Sequence, residues 1–202
     1  FAERKKCMMR LAHGLRRKKK EYAELMTQEM GKPFSQSVGE VEKCAWTCEH
    51  FAENAEKYLQ PIFVKTDARK SYVCFEPMGI ILGIMPWNFP FWQVFRFAVP
   101  TLMAGNGVVL KHASNVPGCG REIETIFRNA GFPPGLFSTL LIDSKQALSL
   151  IDDDRVSGVS LTGSTSAGKQ VAMRAGQNIK KCVLELGGSD PFIVLDAELS
   201  VQ

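Results

Sequence analysis

Short apolar runs alternate with segments of helical spacing from residue 79 onward, and this alternation constrains the fold more than any other feature of the chain. The runs GIILGIM, GVVLK, LFSTLLI and VSGVSL are each followed by a loop and a predicted helix. These helices are predicted over residues 89–104, 117–130, 145–152 and 164–176. KKCVLEL and PFIVL are predicted to be the last two strands. Because such alternation builds a parallel sheet with helices on both faces, the sequence predicts an α/β fold.

Residues 1–61 are predicted to be a helical part that precedes the sheet. Apolar residues from Val41 to Leu59 recur at spacings of four and three, which gives one apolar face. Gly31-Lys32-Pro33 is predicted to separate two helices, and Pro61 to end the second.

Two further segments complete the predicted organisation. The period changes at residue 62, and residues 62–76 are predicted to be two strands around the turn TDARK, which together make a hairpin arm. Residues 77–202 then hold the alternating strands and helices. A polar loop follows several of the predicted strands, namely PWN, KHAS, LTGS and ELGG. Since ligands bind outside the carboxyl ends of parallel strands, we predict a site where these loops converge.

Composition argues against several classes of function. The formal net charge of +4 is too small to indicate nucleic-acid binding, and the basic run 16–20 is interpreted as a solvated helix face. The six cysteines include no CxxC pair, which indicates free thiols in a reducing compartment. The three histidines are scattered, so no metal site is predicted. Without a visible signal peptide or a membrane-length apolar run, we expect a cytoplasmic protein that does not enter a membrane.

Residues 163–169, GSTSAGK, match the first seven positions of a phosphate-binding loop, and they follow a strand and open a helix. The run PFIVLD supplies Asp196, which could hold magnesium in a nucleoside triphosphatase. The next position after the lysine argues against this function, because Gln170 stands where a hydroxyl must bind the metal. The loop can still face a phosphate, since a helix N-terminus offers free N–H groups. A plain strand-to-helix turn is the alternative.

The motifs PWNFP, LK four residues beyond AGN, LTGS and LELGG resemble, in this order and spacing, the NAD(P)-dependent aldehyde dehydrogenases. The resemblance covers essentially the whole chain, and LKHA and VLELGGSDPFIVL are most similar to bacterial succinate-semialdehyde dehydrogenases. It implies a Rossmann-like cofactor domain, NADP or NAD as the cofactor and a small aldehyde as the substrate. It also implies that residues 62–76 serve oligomerisation, in a homodimer or homotetramer, and that the catalytic domain is absent from this chain.

The mechanism of the family assigns roles to matching positions. A cysteine thiolate attacks the aldehyde, hydride leaves to the nicotinamide, and a carboxylate activates the water that releases the acid. Asn88 matches the amide that donates to the oxyanion, with a bond to the loop backbone as the alternative. Glu185 matches the general base, and we expect its carboxylate to be partly desolvated; a surface salt bridge is the alternative. The nucleophile of the family lies beyond Gln202, and none of the cysteines present matches it.

The resemblance also assigns the cofactor site. Lys111 matches the residue that meets the adenosine ribose, and Ser114 stands where NAD-preferring relatives have a glutamate. Because no acid repels a 2′-phosphate, and Lys111, His112 and Ser114 can donate to one, we predict that NADP is accepted. The chain has IDSKQALS in place of a glycine-rich stretch after the third strand, so the adenine loop is undefined. The predicted cofactor-binding residues are Met85, Pro86, Trp87, Asn88, Lys111, His112, Ala113, Ser114, Gly163, Ser164, Leu186 and Gly187.

The substrate is assigned to one stripe of the helix that follows PWNFP. Phe89, Gln93 and Arg96 fall at i, i+4 and i+7, and in the family this stripe lines the aldehyde tunnel. Arg96 matches the arginine that binds the far carboxylate of succinate semialdehyde, since a planar fork holds a carboxylate at two points. A salt bridge to a neighbouring helix or subunit is the alternative. For the protein as a whole, a non-catalytic scaffold with this fold is the alternative function.

Overall fold

The N-terminal part of the structure, a computed structural model that describes residues 1–195, consists of three helices. They are α1 (Ala2–Arg17), α2 (Lys19–Met30) and α3 (Phe34–Tyr58). The prediction of two helices was wrong, because the first of them is interrupted at Lys18, where φ is −110° and ψ is 18°. The predicted break at Gly31 is confirmed. Its φ of 75° is left-handed, a conformation that glycine adopts without strain.

The segment after α3 forms the predicted hairpin. Strand β1 (Ile62–Phe63) pairs antiparallel with β2 (Tyr72–Val73), and Ile62 lies opposite Val73. Each strand is only two residues long, and the side chains of both strands are exposed. The described residues therefore do not bury either face of this hairpin.

A five-stranded sheet organises the rest of the described chain, and its strands all run parallel. The strands are β3 (Ile80–Met85), β4 (Gly107–His112), β5 (Phe137–Leu140), β6 (Val156–Thr162) and β7 (Lys181–Glu185). The order across the sheet is β5-β4-β3-β6-β7, in which β3, the first of these five strands along the chain, lies in the middle, as in the Rossmann fold. The predicted α/β fold is thus confirmed.

One predicted strand is not found. Residues 191–195, PFIVL, adopt no strand conformation, and Phe192 and Leu195 are 91% and 94% exposed. An extended segment needs a neighbouring strand to satisfy its N–H and C=O groups, and none of the described strands pairs with this one. The apolar composition of the segment therefore does not make it a strand within the described part of the chain.

Apolar layers pack on both faces of the sheet, and the helices of this part are α4 (Trp92–Met103), α5 (Pro117–Asn129), α6 (Ser144–Leu150) and α7 (Thr165–Gln177). On one face, α1, α3, α4 and α5 bury a cluster that contains Phe91, Phe95, Phe127 and Phe137, with ring centroids 4.4–6.2 Å apart between successive members. On the other face, α6 and α7 cover a smaller cluster around Leu82. The side of β7 that carries Val183 and Glu185 is left open by the described residues, and Val183 is 53% exposed.

The contact between β3 and α4 depends on the absence of a side chain at Gly83. A Cβ there would lie 2.4 Å from Cε1 of Phe97, so the ring would have to move. We expect Gly83→Ala to lower the free energy of unfolding by about 1–3 kcal/mol. Gly107→Ala is the matched control on the neighbouring strand, because its added Cβ meets no atom closer than 3.7 Å. Urea unfolding measures both variants, and equal losses would contradict this account of the packing.

Candidate functional site

Four strands end in one row at the carboxyl edge of the sheet. Met85 pairs with His112, and Thr162 pairs with Glu185. Ile84 pairs with Leu161, which sets Met85 level with Thr162 across the central strand pair. The loops after β3, β4, β6 and β7 therefore leave the sheet side by side, as the sequence predicted. Together with the last residues of β3 and β4, these loops carry every residue that was predicted to bind the cofactor.

The loop of residues 86–91 follows β3 and carries Asn88. Asn88 and its neighbours Trp87 and Phe89 are exposed. The backbone carbonyl of Asn88 accepts a hydrogen bond, but its side-chain amide takes part in none among the described residues. The alternative in which this amide bonds the loop backbone is thus not what the structure shows. The amide is available to a ligand.

A buried ion pair supports this loop from the helical part of the chain. The carboxylate of Glu40 accepts hydrogen bonds from the backbone N–H groups of Phe91 and Trp92, at 2.9 and 2.8 Å. Its other oxygen pairs with the ammonium of Lys32. That ammonium also donates to the carbonyl of Asn88 at 3.3 Å and lies 3.5 Å from the centroid of the Phe89 ring. The side chains of Lys32 and Glu40 are 6% and 2% exposed.

Sequence reasoning missed this pair, although one signal was present. Glu40 lies four residues before Cys44, within the apolar stripe of α3, and a charged residue is rarely buried there without a partner. The predicted start of the following helix at residue 89 was also early. Residue 91, which precedes α4, offers no side-chain cap, and the helix begins at Trp92, where Glu40 supplies one.

His112 holds the same loop from the other side. Its Nε2 lies 2.8 Å from the carbonyl oxygen of Pro90, and its Nδ1 lies 2.9 Å from the backbone N of Ala113. Burial lowers the pKa of His112, which favours the neutral ring. A neutral ring that carries its proton on Nε2 donates to Pro90 and accepts from Ala113. The predicted role of the His112 side chain as a phosphate donor is therefore corrected, because both ring nitrogens are already engaged.

The helix N-termini near this edge differ in the side chain that caps them. Carboxylates cap three of them: Glu40 caps α4, Glu29 caps α5 with bonds of 2.7 and 2.8 Å, and Asp143 caps α6 with a bond of 2.7 Å. Helix α7 differs, since its cap is the neutral hydroxyl of Ser164 and its first turn holds no acidic residue. The positive end of the α7 dipole is thus uncompensated by the described residues and favours an anion.

A cleft beside α7 contains a buried cation. Lys111 is 9% exposed and lines this cleft together with residues of α6 and α7, among them Gln170. Its ammonium forms no hydrogen bond or ion pair with the described residues. Burial lowers the pKa of Lys111, and the nearby charge of Asp143 opposes that shift. The cleft therefore offers a positive charge that an anionic ligand would stabilise. Ser114, two residues beyond β4, is exposed.

Glu185 and Arg96 form an ion pair across the open face of the sheet. Nη2 of Arg96 lies 2.5 Å from Oε2 of Glu185, and the two side chains are 35% and 51% exposed. The expected desolvation of Glu185 is thus wrong for the described part of the chain. The salt-bridge alternatives for both residues are realised, with the partner of Arg96 on β7 rather than on a helix or subunit. One nitrogen of the guanidinium is engaged, so other donors are left for a second carboxylate.

Of the stripe predicted to face the substrate, Gln93 and Arg96 lie on α4, and Phe89 lies in the loop before it. The backbone N of Gln93 donates to the carbonyl of Phe89 at 3.0 Å, so the helical turn extends back into the loop. Oε1 of Gln93 is buried without a hydrogen-bond partner among the described residues. An unpaired buried acceptor is costly and marks a place where a donor would be stabilised.

The remaining predicted residues lie directly after the ends of β6 and β7. The backbone N of Gly163 donates to the carbonyl of Glu185 at 3.0 Å, which joins the two strand ends. Leu186 is 40% exposed, and its two methyl groups lie over α7, 2.5 and 3.0 Å from where a Cβ on Gly168 would be. Gly187 is exposed, so the backbone can approach a ligand closely there.

Comparison with known proteins shows which family shares this sequence. Residues 1–200 match the aldehyde dehydrogenase family. The chain is 55% identical over 200 residues to a probable succinate-semialdehyde dehydrogenase (NADP+) of Synechocystis, a match that covers 98% of this chain and 44% of that protein. It is 45% identical over 195 residues to a succinate semialdehyde dehydrogenase (NAD(P)+) of Escherichia coli, covering 95% and 42%.

Solved structures agree with these relatives. A succinic semialdehyde dehydrogenase from Streptococcus pyogenes, in complex with NADP+ as the cofactor, superposes with a TM-score of 0.92 at 42% identity. The match covers 96% of this chain and 43% of that one. The chain therefore spans less than half the length of the relatives it matches.

The engaged ring of His112 predicts how stability depends on pH. Because the folded state holds this pKa below its ordinary value of 6.5, the unfolded chain takes up the proton first as the pH falls. Stability is therefore lost below about pH 6.5, with a slope of at most about 1.4 kcal/mol per pH unit from this group. We expect His112→Gln to flatten the profile between pH 7 and 5, measured by urea unfolding. His13→Gln, at an exposed position, is the control. Profiles that stay parallel to that of the wild type would refute the assignment.

Proposed function

Because the chain belongs to the aldehyde dehydrogenase family, we propose that it is the cofactor-binding part of an enzyme that oxidises succinate semialdehyde to the carboxylic acid with NADP+ or NAD+. The observation that carries the proposal is at the sheet edge. There a loop with a free amide, Asn88, follows one strand, and the carboxylate of Glu185 ends another strand in the same row. We propose this activity for a protein as long as the relatives, of which this chain spans less than half.

The cofactor site is proposed at α7 and Lys111. The pyrophosphate is placed at the N-terminus of α7, beside Gly163 and Ser164, because carboxylates fill the other three N-termini. The adenosine ribose is placed at the cleft that Lys111 lines. The buried, unpaired ammonium fits a 2′-phosphate, and Ser114 adds a hydroxyl in place of an acid. NADP+ is therefore the proposed cofactor, with NAD+ also accepted.

The chemistry divides between the bound cofactor and the residues of this chain. NADP+ or NAD+ supplies the hydride acceptor. Asn88 donates to the oxyanion that forms when a nucleophile adds to the aldehyde carbon, and one such donor is worth about 10²- to 10³-fold in rate. Glu185 takes a proton from the water that releases the acid. The nucleophilic cysteine is proposed to lie beyond Gln202, because none of the six cysteines of this chain lies in the loops after β3, β4, β6 and β7.

The substrate is proposed to bind along Phe89, Gln93 and Arg96. Arg96 holds the far carboxylate of succinate semialdehyde with the donors that Glu185 leaves free. The relative from Escherichia coli is a succinate semialdehyde dehydrogenase and that from Synechocystis a probable one, which supports this substrate. The nucleoside triphosphatase alternative is not favoured, since Gln170 replaces the metal-binding hydroxyl. Its other proposed ligand, Asp196, lies outside the described residues.

We further propose that the full-length protein is a homodimer or homotetramer. The hairpin of β1 and β2 supports this, because it exposes Ile62, Phe63, Tyr72 and Val73 on a two-stranded sheet with open edges. A cytoplasmic location is proposed from the cysteines, all six of which are free. None of the helices within residues 1–195 is long and apolar enough to cross a membrane.

Arg96→Gln tests the proposed substrate. We expect the full-length wild-type enzyme to prefer succinate semialdehyde to butanal by about a hundredfold in kcat/KM, which corresponds to about 2.7 kcal/mol. The variant should lose most of that preference, because only one of the two aldehydes carries a carboxylate. Steady-state kinetics with NADP+ measure it, and butanal is the internal control. An equal loss on both aldehydes would show that Arg96 acts through Glu185 and does not bind the substrate.

Lys111→Met tests the proposed cofactor site in two ways. Since a hydrogen bond to a charged group is worth roughly 1.5–3 kcal/mol, the Kd for NADP+ should rise at least about tenfold, and that for NAD+ much less. The melting temperature without cofactor should rise, because a buried ammonium without a partner is removed. Lys169→Met, at an exposed position on α7, is the matched control. Calorimetry and thermal unfolding give both readings, and an unchanged NADP+ affinity would exclude Lys111 from the site.

A further inference from the structure

The buried pair of Lys32 and Glu40 has no part in the proposed chemistry. Both charges come from the helical N-terminal part of the chain, more than forty residues before the loop that they touch. A buried ion pair is weak evidence for stability, because desolvation offsets most of its Coulomb attraction. The role of the pair therefore lies in the backbone groups that its two side chains bind.

The pair holds one short segment at three points. One oxygen of Glu40 accepts from the N–H groups of Phe91 and Trp92, which begin α4. Lys32 donates to the carbonyl of Asn88 and neutralises the other oxygen of Glu40. The backbone on both sides of Pro90 is thus tied to one rigid group, while the amide of Asn88 is left free.

The loop cannot supply these contacts itself. Residue 91, at the N-cap position of α4, makes no side-chain cap hydrogen bond, and Pro86 and Pro90 have no N–H group to donate. On the opposite side, His112 binds the carbonyl of Pro90. The loop therefore lies between an ion pair and an imidazole, and the hydrogen bonds from both go to its backbone.

We propose that Glu40 and Lys32 are positioning residues for Asn88, fixing the loop so that the amide points at the oxyanion. The inference rests on the proposed function, because the oxyanion belongs to that reaction. Positioning errors near 1 Å cost on the order of a hundredfold in rate. The pair acts on the reacting end of the site, and the cofactor contacts at α7 and Lys111 do not depend on it.

A double-mutant cycle in the full-length enzyme tests the proposal. Glu40→Gln should lower kcat by about ten- to a hundredfold, a larger factor than any rise in the KM for NADP+. In an Asn88→Ala background the same change should cost less than about threefold, since the group that it positions is already gone. Glu29→Gln is the matched control. It neutralises a carboxylate that likewise caps a helix, α5, and kcat should stay as in the wild type.

A crystal structure of the Glu40→Gln variant gives a readout that does not need turnover. We expect residues 86–91 to be displaced, with the sheet unchanged. An equal loss of kcat in both backgrounds would overturn the inference, because it would assign Glu40 a general structural role. An undisplaced loop would also overturn it. Absence of aldehyde oxidation by the wild-type enzyme would instead defeat the proposed function, and a displaced loop would then still support the anchoring by Glu40.

Discussion

The hydrogen bonds from the start of α4 to the carboxylate of Glu40 are the contact on which the candidate site depends. They join the helical part of the chain to the parallel sheet, and they fix the loop that carries Asn88. A helix that begins directly after Pro90 and Phe91 has no local side-chain cap, so its N–H groups need an acceptor from elsewhere. Lys32 and His112 complete the support, and the result is a loop held by its backbone with its amide free.

The same principle explains where an anion can bind. Helix N-termini attract negative charge, and in this fold Glu29, Glu40 and Asp143 already provide it for α5, α4 and α6. Helix α7 has only Ser164, and the unpaired ammonium of Lys111 lies in the adjoining cleft. Among residues 1–195, the charges thus leave one helix N-terminus at the sheet edge, that of α7, for a phosphate group. The carboxylate of Glu185 and the guanidinium of Arg96 lie at the same edge, on the face of the sheet opposite to α7.

The periodicity of the sequence predicted the parallel sheet, the hairpin and the convergence of four loops, because spacing reports which face of an element is apolar. It did not predict the break at Lys18 or the absence of a strand at 191–195, since these depend on local dihedral angles and on a pairing partner. Buried polar contacts were missed for another reason. The partners of Glu40 and His112 lie 51 and 22 residues away, and no local pattern specifies such distances. The exposure of Glu185 likewise depends on what covers the open face of the sheet.

The most direct test of the account is a crystal structure of the full-length protein with NADP+. The account predicts that the pyrophosphate accepts hydrogen bonds from backbone N–H groups at the start of α7. It also predicts that Lys111 lies within hydrogen-bond distance of the 2′-phosphate, with Glu29 and Glu40 still on their own helices. A pyrophosphate at the N-terminus of α4 or α5, with its carboxylate displaced, would contradict the central claim that charge leaves only α7 for the cofactor.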